Sequence, residues 1–147
     1  MPYLARRRGD TVRTVNRRDY SAEQVAAWAP EVPDREAWLA RLVAPWTLVA
    51  EDGNLGGDAI TGFGQLRSDG RVDLLYVHAD RQRRRIGSLL LERLVEIARC
   101  QAMPQLTVEA SITARPFFER AGFETVAEQN VERRGVDFVN YLMGRAT

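Results

Sequence analysis

Val72-Asp73-Leu74-Leu75-Tyr76-Val77 leads into Asp80-Arg81-Gln82-Arg83-Arg84-Arg85-Ile86-Gly87-Ser88-Leu89-Leu90-Leu91. The first six residues read as a strand, the arginine run as a tight turn, and the remainder as the opening of an amphipathic helix. A helix start points unpaired backbone N–H groups outward and carries partial positive charge. Arginines on the same turn add full charges that can pair with phosphate. Strand, basic turn and helix N-terminus together predict an anion cradle.

Working outward, Ile86 to Gln101 reads as a helix whose buried stripe is Leu89, Leu90, Leu94, Ile97 and Ala98, ended by Met103-Pro104. Upstream, Thr47 to Glu51 and Ala59 to Leu66 read as strands around the Gly-rich turn at Asp52 to Asp58. Ser68-Asp69-Gly70 then turns the chain into the Val72–Val77 strand, so these three strands predict an antiparallel meander. Downstream, Gln105 to Ala110 reads as a strand, parallel to Val72–Val77 if the helix between them is a crossover. Thr113 to Ala121 reads as a short helix closed by Gly122, and two closing antiparallel strands flank Gly135. Near the N-terminus, Ser21-Ala22-Glu23-Gln24 has the form of a capping box starting a helix that ends near Ala29-Pro30. Asp34 caps a second predicted helix, Arg35 to Val43, with Trp38, Leu39 and Leu42 on one face. Leu4 to Val15 has some helical character, weakened by Arg6-Arg7-Arg8-Gly9.

With 147 residues, the length predicts one domain, 1–147, able to close a single core. All 21 basic residues are Arg, which excludes a lysine Schiff base and a P-loop lysine. The net charge of +1 supplies no global field for nucleic acid or membrane. One cysteine, Cys100, excludes an intramolecular disulfide and a Cys-cluster metal site. One histidine, His78, excludes a His-rich metal site, so no metal is expected. No leader and no membrane-spanning run is recognisable, and a cytoplasmic location is the expectation.

Two motifs then carry a family resemblance. Val77-His78-Ala79-Asp80-Arg81-Gln82-Arg83-Arg84-Arg85-Ile86-Gly87 resembles the V-x-P-x-x-[QR]-x-x-G-x-[GA] segment of the GNAT superfamily of acetyl-CoA-dependent N-acetyltransferases. Ser111-Ile112-Thr113-Ala114-Arg115-Pro116-Phe117-Phe118-Glu119-Arg120-Ala121-Gly122-Phe123 resembles that family's N-x-x-A-x-x-[FY]-Y-x-x-x-G-F helix. Leu106 to Ser111, Pro116 to Arg120 and Asn140-Tyr141 are similar to its YafP-like bacterial branch. The resemblance spans about Tyr20 to Met143 and implies a three-layer α/β fold on a mixed, mostly antiparallel sheet.

It also implies acetyl-CoA as cosubstrate and a primary amine as acceptor. Leu75, Tyr76 and Val77 would hold the pantothenate arm through their backbones, like an added strand. The pyrophosphate would sit on the amides of Gln82, Arg83, Arg84, Arg85, Ile86, Gly87 and Ser88. Ser111, Ala114, Phe117 and Phe118 would flank the thiol end. The amine attacks the thioester directly, so no Cys–His or Ser–His pair is required. Three positions depart from the pattern. Arg85 replaces the first motif glycine, and either points outward to a phosphate or spoils the turn. Phe118 replaces the tyrosine proton donor. The family's first strand is missing, which leaves Thr47–Glu51 as an open edge that invites a homodimer.

Asp73, among apolar residues on the central strand, and Glu109, at the end of the next parallel strand, are the candidates for general base, each against the plain reading of a strand-surface charge. Tyr141 is the third candidate, as proton donor or substrate contact on the substrate side; packing is its plain reading. His78 reads first as a surface residue, Tyr76 as core and Cys100 as buried or half-buried. Trp28, Trp38 and Trp46 line the acceptor pocket or pack the core. Two other functions remain open: a degraded acyl-CoA-binding or interaction module, and nucleic-acid binding through Arg81–Arg85. The near-zero net charge counts against the second.

Overall fold

The computed structural model describes residues 12, 14–29, 36, 40, 45–52, 60–78 and 85–147. Of the expected helix at Arg35 to Val43 only Glu36 and Ala40 are described, both helical; Trp38, Leu39 and Leu42, the body of the Gly-rich turn, and Gln82, Arg83 and Arg84 of the basic turn lie outside the described residues.

Helix α1 (Ala22–Trp28) starts at the predicted capping box. Ser21 Oγ accepts from the Gln24 amide at 3.1 Å, and the Ser21 amide donates to Gln24 Oε1 at 2.9 Å. Gln24 Nε2 also donates to the Asp137 carbonyl at 2.8 Å, which ties the helix start to the sheet. The strands are β1 (Trp46–Glu51), β2 (Ile60–Leu66), β3 (Arg71–Val77), β4 (Gln105–Ser111), β5 (Glu124–Arg133) and β6 (Val136–Ala146). Among the described residues they form one sheet in the order β1-β2-β3-β4-β6-β5. The β1-β2-β3 meander is antiparallel, β3 and β4 are parallel, and β6 runs antiparallel to both β4 and β5. Gly70, at φ +84°, has no room for a Cβ, which would lie 2.5 Å from the Gln105 carbonyl oxygen. Arg134 and Gly135 both take positive φ, 50° and 75°, as a two-residue hairpin turn requires.

Helix α2 (Ile86–Cys100) makes the crossover from β3 to β4. Its buried residues are Leu90, Leu91, Leu94, Val95 and Ala98. Leu89, expected in the stripe, is 55% exposed. At 100° per residue it points roughly 170° from the centre of the buried set, and Leu91 takes its place. Cys100, expected to be at least half-buried, is exposed because it falls on the solvent side of the last turn. Helix α3 (Arg115–Arg120) is shorter than the sequence pattern implied. No helix among the described residues is long and apolar enough to cross a membrane.

The sheet buries apolar residues on both faces. One face packs Leu66, Val72, Leu106, Val108, Ala110 and Met143 against α2 and α3. The other packs Phe138 against Val12, Tyr20, Val25 and Ala27 of the N-terminal segment. The fit of α2 depends on two strand glycines. A Cβ at Gly62 would lie 2.8 Å from the Tyr76 carbonyl oxygen and 3.2 Å from both Ile86 and Leu90. At Gly64 it would lie 3.2 Å from Leu75 and 3.3 Å from Leu94. Gly62→Ala is therefore expected to destabilise the protein by about 1–3 kcal/mol. Urea unfolding checks this; an unchanged midpoint would show that the helix does not rest on this glycine.

Candidate functional site

The parallel pair at the sheet centre is short. Arg71 faces Thr107 and Val72 faces Val108, and the β3–β4 register ends there. β3 continues to Val77 and β4 to Ser111, while β4 stays paired with β6 along its whole length. The two central strands thus part into a wedge that opens toward their C-terminal ends. Strand ends that separate in this way are where α/β sheets receive ligands.

A register slip sits at the root of the wedge. Leu66 faces Val72 but Gln65 faces Leu74, so Asp73 is an extra residue on β3. Such a bulge bends the strand and re-aims its side chains. Beyond it, Leu75 packs toward the α2 core and Tyr76 packs on the opposite face, 5.6 Å from the Phe63 ring.

On the helix face, the α2 N-terminus borders the wedge. A Cβ on Gly87 would meet Val77 Cγ2 at 3.4 Å and the Phe117 ring at 3.5 Å. Gly87 therefore stands between the end of β3 and α3. Ser111 Oγ accepts from the Ala114 amide at 3.1 Å and so fixes the turn that leads into α3. Phe117 borders Gly87, whereas Phe118 is 3% exposed and packs edge-on between Phe117 and Phe123, at 5.1 and 5.2 Å. Tyr141 lies on this helix face, with the Arg115 guanidinium 4.3 Å above its ring. The structure thus separates it from Asp73 and Glu109.

Those two carboxylates come together on the other face. Arg71 Nη2 lies 3.0 Å from Glu109 Oε2, and Arg71 Nε lies 3.8 Å from Asp73 Oδ1. The second distance is too long for a hydrogen bond, and the Arg71 Nε is buried with no hydrogen-bond partner. All three residues line one open cleft. Tyr20, Trp28, Phe138 and Arg133 line it as well. Of the three tryptophans weighed from sequence, Trp28 reaches the cleft, Trp46 packs against the core, and Trp38 is outside the described residues. His78 is not a cleft residue; its amide donates to the Thr61 carbonyl at 2.7 Å just past β3.

The family model for the acetyltransferase (GNAT) domain matches residues 16–144. The chain belongs to the GNAT acetyltransferase family. The uncharacterized N-acetyltransferase YafP of Escherichia coli (strain K12) is 39% identical over 124 residues, spanning 84% of this chain and 75% of that protein. A GCN5-related N-acetyltransferase from Rhodopseudomonas palustris superposes with a TM-score of 0.90 at 31% identity, covering 99% of this chain and 88% of that one. The PaiA N-acetyltransferase of Thermoplasma acidophilum, solved with coenzyme A, shares the fold at a TM-score of 0.73 and 17% identity, covering 98% and 91%.

Within this GNAT fold, Arg85 stands at the position of the motif glycine. It is exposed, occupies the N-cap position of α2 without a side-chain capping hydrogen bond, and adopts φ 61°, ψ 9°, the left-handed conformation that glycine takes without strain. For an L-residue that conformation costs roughly 1–2 kcal/mol. Arg85→Gly is expected to raise stability by about 1 kcal/mol, read as a higher Tm. A lower Tm would mean that the Arg85 side chain holds the helix start.

The site residue that sequence reasoning passed over is Tyr20. Its hydroxyl donates to the Val139 carbonyl and accepts from the Ile112 amide, both at 2.8 Å, and so pins β6 to the end of β4. No local pattern marks it, because both partners lie about a hundred residues away. Burial raises the Tyr20 hydroxyl above its ordinary value of 10.0; the Ile112 amide opposes this, while Asp19 and Tyr141 add to it. The raised value makes the neutral hydroxyl the stabilising form. Its contribution is complete below pH 10 and fades as pH rises through the folded value. Tyr20→Phe should cost about 1–3 kcal/mol at neutral pH, because a buried donor and acceptor lose their partner. That deficit should shrink in unfolding experiments above pH 10; a deficit that grows there would refute the assignment.

Proposed function

We propose that this chain is a single-domain, cytoplasmic enzyme that transfers an acetyl group from acetyl-CoA to a primary amine. The observation that carries the reading is the wedge: β3 runs five residues beyond its last β4 partner, Val72. Leu75, Tyr76 and Val77 then hold the pantothenate arm by backbone hydrogen bonds, as an added strand would be held. The α2 N-terminus at Arg85, Ile86, Gly87 and Ser88 takes the pyrophosphate, with the exposed Arg85 guanidinium able to reach it. Gln82, Arg83 and Arg84 complete this turn in the proposal. Ala114 and Phe117 flank the thiol end.

Acetyl-CoA supplies an activated acyl carbon, so the protein contributes position and proton transfer. The amine enters from the opposite face, through the cleft that holds Asp73 and Glu109. One of these carboxylates removes its proton, directly or through water. The nitrogen–carbon bond forms, the carbon–sulfur bond breaks, and the leaving thiolate takes a proton. Phe118 has no proton to give and is closed inside the core. Tyr141 stands on the helix face beside α3 and is the proposed donor. A backbone N–H of the bulged strand near Asp73 steadies the oxyanion.

Calorimetric titration with acetyl-CoA tests the cofactor half of the proposal. Binding at about micromolar Kd is expected for wild type and Arg85→Gly. It should be lost in Gly87→Glu, whose side chain would project toward Val77 and Phe117 and add negative charge at the helix N-terminus. No binding to wild type would overturn the reading. The chemical half is tested by Asp73→Asn and Glu109→Gln. The variant that loses the base should drop in kcat by about a hundredfold with acetyl-CoA affinity kept. Full activity in both would exclude these carboxylates as the base. Tight acetyl-CoA binding with no turnover of any amine would favour a non-catalytic acyl-CoA-binding module.

A further inference from the structure

A row of polar side chains crosses the cleft face of the sheet beside the open end of the wedge. Ser111 on β4 faces Asn140 on β6, and Asn140 faces Gln129 on β5. Ser111 and Asn140 both line the cleft. Ser111 is already engaged: its Oγ accepts from the Ala114 amide at 3.1 Å and from Asn16 Nδ2 at 3.4 Å. The other two differ. Asn140 Oδ1 and Gln129 Oε1 are buried without a hydrogen-bond partner. The adjoining rows on the same face offer them no donor, with Phe138 and Val131 on one side and Leu142 and Ala127 on the other. Two unpaired carbonyls side by side are costly to keep and call for a donor.

One rotation relieves both. A carboxamide turned end for end keeps its shape and exchanges its donor and acceptor ends. Directly opposed residues on one sheet face have Cβ atoms about 5 Å apart, so their side chains reach each other. With the Asn140 carboxamide turned about its Cβ–Cγ bond, Nδ2 donates to Gln129 Oε1 and Oδ1 points into the cleft. The row then offers a ligand one braced acceptor, which only an N–H or O–H can satisfy. Glu109 lines the same cleft two residues before Ser111. Two residues along β4 and one strand across place the backbones of Glu109 and Asn140 about 8 Å apart.

We infer that the acceptor carries a hydrogen-bond donor, a hydroxyl or a neutral N–H, at about 7 Å from its amine, and that Asn140 is the specificity-determining residue that binds it. The inference deepens the acetyltransferase reading above and rests on it. In the Michaelis complex the amine lies at the carboxylate end of the cleft, and the distal donor meets Asn140 Oδ1. An analogue without that donor covers the Asn140 carbonyl and leaves it unpaired, which is how a polar subsite rejects an apolar isostere.

The test compares kcat/KM for 5-aminopentan-1-ol and hexan-1-amine on the whole chain. The two match in length and charge, and the hydroxyl of the first stands where the second has a methyl group. The nitrogen and oxygen of the extended amino alcohol lie about 7 Å apart. Wild type is expected to prefer the amino alcohol by about tenfold or more. Asn140→Leu, close in shape but without a polar atom, should cancel or reverse that preference. Asn140→Asp, which keeps an acceptor, should retain it. Hexan-1-amine used by wild type as well as or better than the amino alcohol overturns the inference and leaves the two carbonyls to water. A folded Asn140→Leu with an unchanged ratio overturns it too. The wild-type comparison decides even if Asn140→Leu fails to fold. Calorimetry on the same preparation separates the two levels. Acetyl-CoA binding with neither amine acetylated removes only the inference about the acceptor. Absence of acetyl-CoA binding removes the acetyltransferase reading and this inference with it.

Discussion

The central parallel pair holds together over only two residue positions, and the architecture depends on that brevity. A parallel connection requires a crossover, and α2 provides it while buttressing β2 and β3 through Gly62 and Gly64. Had the β3–β4 ladder continued to Val77 and Ser111, the sheet would be closed at its centre. Because it stops at Val72–Val108, the backbone of β3 is presented to the wedge while α2 and β4 remain anchored elsewhere. The β4–β6 pairing, seven positions long, carries the load that β3–β4 does not. Tyr20 adds a cross-tie at the far end of β4, where the wedge is widest.

The bulge at Asp73 separates the two chemical faces. Strand alternation alone would give β3 a single inside and a single outside. The extra residue lets Val72 and Leu75 both serve the α2 core, and leaves Arg71, Asp73 and Tyr76 on the cleft. On β4 no bulge is needed. Leu106, Val108 and Ala110 go to the core, and Glu109 and Ser111 line the cleft. The two acidic residues thus converge from strands of different regularity, with Arg71 bridging them.

Much of this was legible because the signals are local. The meander, the crossover helix, the parallel strand, the capping box at Ser21 and the hairpin at Gly135 all follow from periodicity and turn chemistry within a few residues. Asp73 and Glu109 each stand out from strand position alone, one among apolar residues and one at a strand end. The errors arose where an angle or a distant contact decided. Leu89 is apolar and adjacent to the stripe in sequence, yet the helical rotation puts it on the solvent side. Which face Tyr141 takes is likewise set by pairing: it shares the β6 parity of Met143, which puts it with the helices. Arg71 has two acidic neighbours. Its shorter contact, to Glu109, depends on the β3–β4 register, which no local pattern encodes.

Arg85 shows how a motif can lose its residue and keep its geometry. Glycine is favoured at such a turn because the backbone needs positive φ, and the chain here adopts φ 61° with an arginine instead. The strain of roughly 1–2 kcal/mol is small beside the 5–15 kcal/mol that stabilises a typical domain. It is also confined to one exposed residue at the start of α2. In return, the helix N-terminus gains a full positive charge where an anion would be drawn to its amides. Positive charge at that end opposes the helix dipole while the site is empty, so both backbone strain and electrostatics disfavour Arg85 in the unliganded protein. A bound phosphate relieves the electrostatic part and leaves the strain. The residue is therefore better matched to an occupied site than to an empty one. That is the pattern expected of a group serving ligand binding at some cost to the free fold.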